Sequence, residues 1–379
     1  MNDILIQDFL VKQLNYWKER KWNLNDIRDY FNLNQKKKRL MYVKINNGNI
    51  KYTTAIGGER FVAIKKLLND IASANKTLNV AILVSLSDEV YDTDIEVYDL
   101  RNNENKVDDP NKHPFKWGIS QKNNNIIRIE NSKQTHFNFP IFSFSKTSYQ
   151  KEVIIMPCPN LIKNSFYNDN ISFEIKKHTP IFRFSNIRAN LYLPTRFKLL
   201  ELCYNNPDII DCKGGYKSKH PGHGDYIIHP TFIKLYKKLN IINKSIDINK
   251  FKNLVRVENY MDKNNIINHK YLICGDSWYN SVDYALSNSV LLRYKMDKSK
   301  FYEDYIFKDN EDYIIFDENN YIEKYNYITG HNTKMLNMIE NRKKKVENYL
   351  RYNKLVEHYG LLLQKFSEIQ QKNEQIVII

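Results

Sequence analysis

Between Leu78 and Val84 the chain reads Leu-Asn-Val-Ala-Ile-Leu-Val, apolar at every position but one. Nothing alternates, so a strand here is covered on both faces, the pattern of a buried parallel strand flanked by helices. The segment before it, Glu59–Ala72, carries Phe61, Ile64, Leu67, Leu68 and Ile71 at helical spacing. The same strand–helix unit recurs downstream. Strands are predicted at 140–145, 152–156 and 180–185, a helix at 194–205 and a strand near Asp208–Cys212. A strand at Lys270–Cys274, a helix at Ser281–Ser287 and a strand at Val290–Arg293 follow. Strands and helices alternating over 379 residues predict an α/β fold of two doubly wound, Rossmann-like halves.

The remaining segments frame these halves. Residues 3–32 hold apolar positions at helical spacing, and Arg39–Lys44 and Ile50–Thr54 read as a hairpin across Asn46-Asn47-Gly48-Asn49. Residues 89–135 are polar and Asn/Lys-rich, which predicts an insertion or a long irregular loop. Gly214–Asp225 reads as a loop and 246–259 as a helix. The last forty residues or so read as a long helix, broken near Gly360. The run Arg342-Lys343-Lys344-Lys345 within it reads as a solvated face. The expected domains are 1–165, 166–330 and a helical segment at 331–373.

Charge and composition narrow the function classes. A net charge of +15 fits either a nucleic-acid groove or a lysine-rich surface with a site for an anionic ligand. The lysines are spread along the chain and no nucleic-acid-binding spacing is present, which argues against nucleic acid as the partner. The excess of Asn, Lys and Ile reads as the codon bias of an AT-rich genome, a viral one included. Cys158, Cys203, Cys212 and Cys274 form no CxxC pair, so they read as buried fillers. No apolar run is long enough for a membrane span, and neither terminus resembles a secretion or retention signal, so a cytoplasmic location is expected.

Two segments carry the chemistry. Pro140–Ser148 (PIFSFSKTS) alternates Phe and Ser and then runs into a Ser-Lys-Thr-Ser turn. Phe182-Arg183-Phe184-Ser185 is a second strand, followed by Arg196 early in a helix and by Asn206-Pro207-Asp208-Ile209-Ile210-Asp211. Strand ends presenting hydroxyls, backbone N–H groups and a guanidinium suit a phosphate-bearing ligand.

In this order the motifs resemble the protein O-glucosyltransferases, the KDEL-type family that includes fungal capsule xylosyltransferases (glycosyltransferase family 90). Pro140–Ser148, Phe182–Ser185 and Arg196–Asp211 carry the resemblance. So do His269-Lys270-Tyr271-Leu272, Asn288–Leu292, and Phe301-Tyr302 through Tyr313-Ile314-Ile315. The resemblance implies a GT-B glycosyltransferase: two Rossmann-like domains facing across a cleft, the C-terminal one holding a nucleotide sugar. It further implies an inverting, metal-independent transfer from a UDP-sugar to a hydroxyl on a protein or glycan. An aspartate is then the base, the sugar is glucose or xylose, and no cofactor is needed beyond the donor substrate.

By that resemblance Asp88 is the candidate base, with Asp92 and Asp94 as rivals and a loop or capping carboxylate as the plain alternative. Arg196 and Ser185 are candidate diphosphate contacts, the alternatives being a surface ion pair and a turn serine. Ser277, Asn280 and Ser281 belong to the expected second diphosphate loop, where backbone amides can cradle phosphate. The family places an arginine two residues after a serine there, and this chain has Asp283. That departure keeps a second reading open, a decayed member that binds a glycan or protein. His220, His223 and His229 have histidine spacing for a cation but no acidic or cysteine partner, and read as loop residues.

Overall fold

The structure is a computed structural model. It describes residues 3–35, 39–86, 91–99, 117–123, 126–134, 137–147, 150–184, 195–214, 247, 253–254, 256, 259–275, 278–295 and 299–373. Two five-stranded sheets organise it, in keeping with the α/β expectation. One buried core covers the first sheet and extends to the Ile181, Leu272 and Leu291 face of the second, and another lies on the second sheet's Phe182, Tyr271 and Val290 face.

The first sheet begins with the predicted hairpin, β1 (Leu40–Asn46) and β2 (Asn49–Thr54). Its two-residue turn has φ of 46° at Asn47 and 74° at Gly48, the left-handed pair that matches strand twist. Helix α3 (Glu59–Ala74) then leads into β3 (Val80–Ser85), every residue of which is buried. β1 runs antiparallel to β3, whereas β3, β7 (Ile141–Ser143) and β9 (Val153–Ile155) are parallel, giving the order β2-β1-β3-β7-β9. Helices α1 (Ile4–Lys18) and α2 (Leu24–Asn34) precede the hairpin, and α1 guards the outer edge of β9. There the Ile155 N–H donates to Gln13 Oε1 at 2.9 Å and the Trp17 indole N–H to the Glu152 carbonyl at 3.0 Å.

Of the two expectations for 89–135, the described residues there fit an insertion rather than an irregular loop. β4 (Tyr91–Asp99), β5 (Trp117–Asn123) and β6 (Ile126–Gln134) form a separate antiparallel sheet in the order β4-β6-β5. The β-branched and aromatic residues that allow this, such as Ile95, Val97 and Ile127, are diluted by Asn and Lys and escape a composition-based reading.

The second sheet is wholly parallel. β10 (Ile181–Phe184), β11 (Asp211–Gly214), β12 (Tyr271–Cys274), β13 (Val290–Tyr294) and β15 (Ile314–Phe316) take the order β11-β10-β12-β13-β15. Helix α5 (Thr195–Asn205) joins β10 to β11. β11 starts three residues later than expected, because Pro207–Ile209 turns first, with the Ile209 N–H on the Asn206 carbonyl. Short helices α4 (Pro159–Ile162), α6 (Lys263–Ile266) and α7 (Trp278–Asp283) complete the connections.

Two further corrections concern helices. α7 occupies Trp278–Asp283 rather than 281–287. The carbonyls beyond its end, those of Ala285, Ser287 and Ser289, accept hydrogen bonds from the buried Arg342 guanidinium at 2.7–2.8 Å. Arg342 is therefore no part of a solvated face, and Lys345 beside it reaches the buried Asp312 carboxylate. The C-terminal segment comprises α8 (Tyr321–Gly330), α9 (Asn332–Lys345), a π turn at Val346–Leu350 and α10 (Tyr352–Asn373). The break falls at Arg351, in extended backbone, while α10 runs unbroken through Gly360. A Cβ at Gly360 would sit 3.6 Å from Ile71 Cγ2, so the glycine lies against α3 instead of ending the helix. α8 and α9 contribute to the core of the second sheet, while Leu355, Tyr359, Leu362 and Phe366 of α10 belong to the first.

One ribbon joins the two sheets. β8 (Ser145–Thr147), directly after β7, pairs antiparallel with β14 (Ser299–Phe301), which follows β13. The expected Ser145–Ser148 turn is thus a strand for its first three residues. Its Lys146 is buried and donates to the Val153 carbonyl at 2.8 Å.

Candidate active site

In the second sheet β10 is flanked by β11 on one side and β12 on the other. The connections leaving the carboxyl ends of β10 and β12 therefore diverge. Open parallel sheets bind ligands at such a switch point. The two strand ends at this point are Phe184 and Cys274. Ser185 and Ser277 are the residues next to these strand ends, but both lie outside the described residues, as does Asp88.

Arg196 is placed in the first turn of α5, with its guanidinium carbon 5.5 Å from the centre of the Phe184 ring. A helix N-terminus carries orphan N–H groups and a partial positive charge. Arg196 adds a guanidinium to the same turn, and the pair suits an anionic ligand at the end of β10. At the neighbouring strand end, a Cβ on Gly275 would lie 2.5 Å from Phe182 Cζ. Glycine is needed there for the backbone to pass the Phe182 ring. Arg183, on the same strand as Phe182, has a structural partner. It holds β10 to β11 by donating to the Asp211 carbonyl at 2.8 Å and to its carboxylate at 2.5 Å.

On α7, the side chain of Asn280 is outside the described residues, whereas Ser281 is buried and donates to Glu303 Oε1 at 3.2 Å. Glu303 itself has no exposed surface, and its Oε2 has no hydrogen-bond partner. Burial, with the nearby Asp304 charge, pushes its carboxyl up to about 7. Asp304 is meanwhile engaged in an ion pair with the Arg293 guanidinium. Sequence reading missed Glu303, since it lies 22 residues beyond Ser281 in a segment without strand or helix periodicity.

Asp283 stands where the resemblance expects an arginine. It is buried, accepts from Asn160 Nδ2 at 2.7 Å, and forms an ion pair with Lys263, whose side chain is 42% exposed. The cation beside α7 is thus Lys263, supplied from α6. Asn160 ties this corner to the first half, because its helix α4 is followed by Lys163, which pairs with Glu59 in the first turn of α3.

That first turn also marks the end of β3. Arg60 Nη1 donates to the Leu86 carbonyl at 3.0 Å, and the Leu86 N–H donates to the Arg39 carbonyl at 2.9 Å. Asp88 follows two residues on in the sequence. Asp92 and Asp94 belong to β4, opposite Lys133 and Asn131 of β6. His220, His223 and His229 lie outside the described residues, among which no cluster of three or more His, Cys, Asp or Glu is arranged to hold a metal ion. All four cysteines are buried and unbridged, and burial pushes the Cys274 thiol up to about 12. No helix among the described residues is long and apolar enough to cross a membrane.

No protein-family model matches the sequence, and no curated protein matches it. Among solved structures, the C-terminal domain of a glycosyl transferase group 1 family protein (LpcC) from Francisella tularensis overlaps at a TM-score of 0.31 and 11% identity. That overlap spans 50% of this chain and 97% of the other. TarM overlaps at a TM-score of 0.36 and 8% identity, over 59% of this chain and 43% of its own. Overlaps this loose carry no argument, and the functional reading rests on the chain's own residues.

Proposed function

We propose that the chain is a nucleotide-sugar-dependent glycosyltransferase of GT-B architecture. The observation that carries the reading is Arg196 in the first turn of α5, at the carboxyl end of β10, where the second sheet has its switch point. The motif resemblance supplies the substrate class. In this reading the diphosphate of a UDP-sugar lies across the ends of β10 and β12, its oxygens toward the α5 amides, Arg196, Ser185, and the Ser277–Ser281 turn with Asn280. The acceptor, a hydroxyl of a protein or glycan, approaches from the end of β3.

Asp88 takes the acceptor proton as the hydroxyl oxygen bonds to the anomeric carbon, and the bond from that carbon to the phosphate oxygen breaks. Attack opposite the leaving group inverts an α-linked glucose or xylose to a β-linkage. The charge growing on the diphosphate is met by a guanidinium and helix N-terminal amides, which supply what a divalent cation otherwise gives. No metal or further cofactor enters this mechanism.

One observation favours a second reading. Asp283 puts a buried carboxylate where the resemblance expects an arginine, which suits a decayed member that binds a glycan or protein without turnover. A thermal-shift and hydrolysis screen against UDP-, GDP- and dTDP-sugars tests both. Stabilisation by UDP-glucose or UDP-xylose is expected, and Arg196→Ala should weaken UDP binding by about tenfold or more, the worth of one charged hydrogen bond. Stabilisation by none of the nucleotides would overturn the proposal. UDP binding without turnover, unchanged in Asp88→Asn, selects the second reading.

A further inference from the structure

Glu303 has no part in the transfer described above, yet it touches the segment that the donor needs. It sits in the turn Tyr302–Tyr305, directly after β14. Its backbone is held there: the Ile306 and Phe307 N–H groups donate to the Glu303 carbonyl at 3.0 and 2.8 Å, and the Phe301 N–H donates to the Asp304 carboxylate at 2.8 Å. Its side chain reaches α7, where Oε1 accepts from the Ser281 hydroxyl at 3.2 Å. Ser281 lies about one helical turn beyond Trp278, at which α7 begins. Glu303 thus ties the Ser277–Ser281 turn to the ribbon of β8 and β14.

The surroundings leave this carboxyl little to balance a charge. It has no exposed surface, and its Oε2 has no hydrogen-bond partner. The Arg293 guanidinium of β13 is engaged by Asp304, with Nη2 on Oδ2 at 3.1 Å. Asp283 of α7 is engaged by Lys263 and Asn160. The thiols of Cys158, just before α4, and of Cys274, on β12, lie within reach of the Glu303 charge, and Cys274 also feels Arg293, Asp283 and Arg342 of α9. Burial raises both thiols and the phenols of Tyr302 and Tyr305, so all four are neutral near pH 7. Glu303, pushed up to about 7 by burial and by Asp304, is about half ionised there.

We propose that Glu303 is the positioning residue of the donor turn, and that binding of a nucleoside diphosphate sugar draws a proton onto it. The inference rests on the donor reading above. A diphosphate at the Ser277–Ser281 turn brings negative charge to within one or two helical turns, roughly 10 Å, of a dry carboxylate. At an effective dielectric constant of about 20, that favours the protonated form by about one pH unit. A donor that raises the carboxyl's proton affinity binds best where the proton is already present. Affinity is therefore full at low pH and declines as pH rises through about 7.

Calorimetric titration of the full chain with UDP-glucose near pH 7, in two buffers of different ionisation enthalpy such as PIPES and imidazole, tests this. UDP-glucose is the probe because neither of its phosphates gains a proton in this range, whereas the terminal phosphate of UDP does. Uptake of a fraction of a proton per donor is expected, at most about half, and affinity should fall several-fold between about pH 6 and about pH 8. Glu303→Gln keeps an acceptor for Ser281 and removes the titration. Its donor binding should show no uptake and a flat pH profile, readouts that a merely structural role would not move. Ser281→Ala decides the matter if Glu303→Gln does not fold. It removes a hydrogen bond that favours the ionised carboxyl, so the decline in affinity should move to higher pH. Binding without proton uptake, uptake unchanged in Glu303→Gln, or a pH profile that Ser281→Ala leaves in place overturns the inference alone. No binding of UDP-glucose at any pH overturns the donor reading, and this inference with it.

Discussion

The side-chain amide of Gln370 and the peptide groups of Ala81 are joined by two hydrogen bonds of 2.9 Å, one in each direction. Gln370 Oε1 accepts from the Ala81 N–H, and Gln370 Nε2 donates to the Ala81 carbonyl. β7 meets β3 only near Val84, so the start of β3 has an open edge on that side, and the glutamine completes it. Both partners are buried. Gln370→Leu should therefore strand two backbone groups and cost about 2–4 kcal/mol. The midpoint of chemical denaturation measures this, and a shift near zero would show that the edge is satisfied without the side chain.

At Gly275 the conflict is steric. Gly275→Ala places a methyl 2.5 Å from the Phe182 ring and should cost about 1–3 kcal/mol through forced repacking. Phe182→Leu has its own cavity cost, yet should relieve much of the alanine penalty in the double variant. Strict additivity in that cycle would rule out the ring as the cause.

Arg342 carries a buried charge, held below the usual arginine range (to about 10) by its burial, and satisfies three carbonyls. Arg342→Met should cost at least about 3 kcal/mol, because charged hydrogen bonds are lost and the carbonyls remain. Arg342→Lys should recover only part of this, since an ammonium cannot reproduce the fork. Thermal unfolding of the three proteins ranks them.

Glu303 gives a pH signature. Its folded carboxyl is raised to about 7 by burial and by Asp304, above the 4.5 of a free glutamate. The folded state therefore holds the extra proton, and the stabilisation is full below about 4.5. It is lost as pH rises through about 7. The stability difference between wild type and Glu303→Gln should fall across that window and level off above it. A difference that is constant with pH would refute the raised carboxyl.

The legible parts of the fold were those fixed by local pattern. β3, β12 and β13 are runs of apolar residues, and the Asn47-Gly48 turn dictates its hairpin. Features set by distant partners were read poorly. Gly360 signals a break in isolation, but its neighbour is Ile71 on another helix. Arg342 sat inside a charge run, although Met335, Met338, Ile339 and Val346 share its helical stripe and all are buried. That spacing was the available signal. The place of Arg196 in the first turn of a helix was legible because a strand precedes it. The contacts of Glu303 and Lys263 were not, since a hydrogen bond to Ser281 and an ion pair to Asp283 join residues about twenty positions apart.

The ribbon of β8 and β14 bears on how the two sheets are held together. Its three residue pairs, Ser145–Phe301, Lys146–Lys300 and Thr147–Ser299, sit immediately past the ends of β7 and β13. Pulling the halves apart in translation would stretch every one of those backbone hydrogen bonds at once. The ribbon thus resists separation as a single unit, since no pair in it can yield alone.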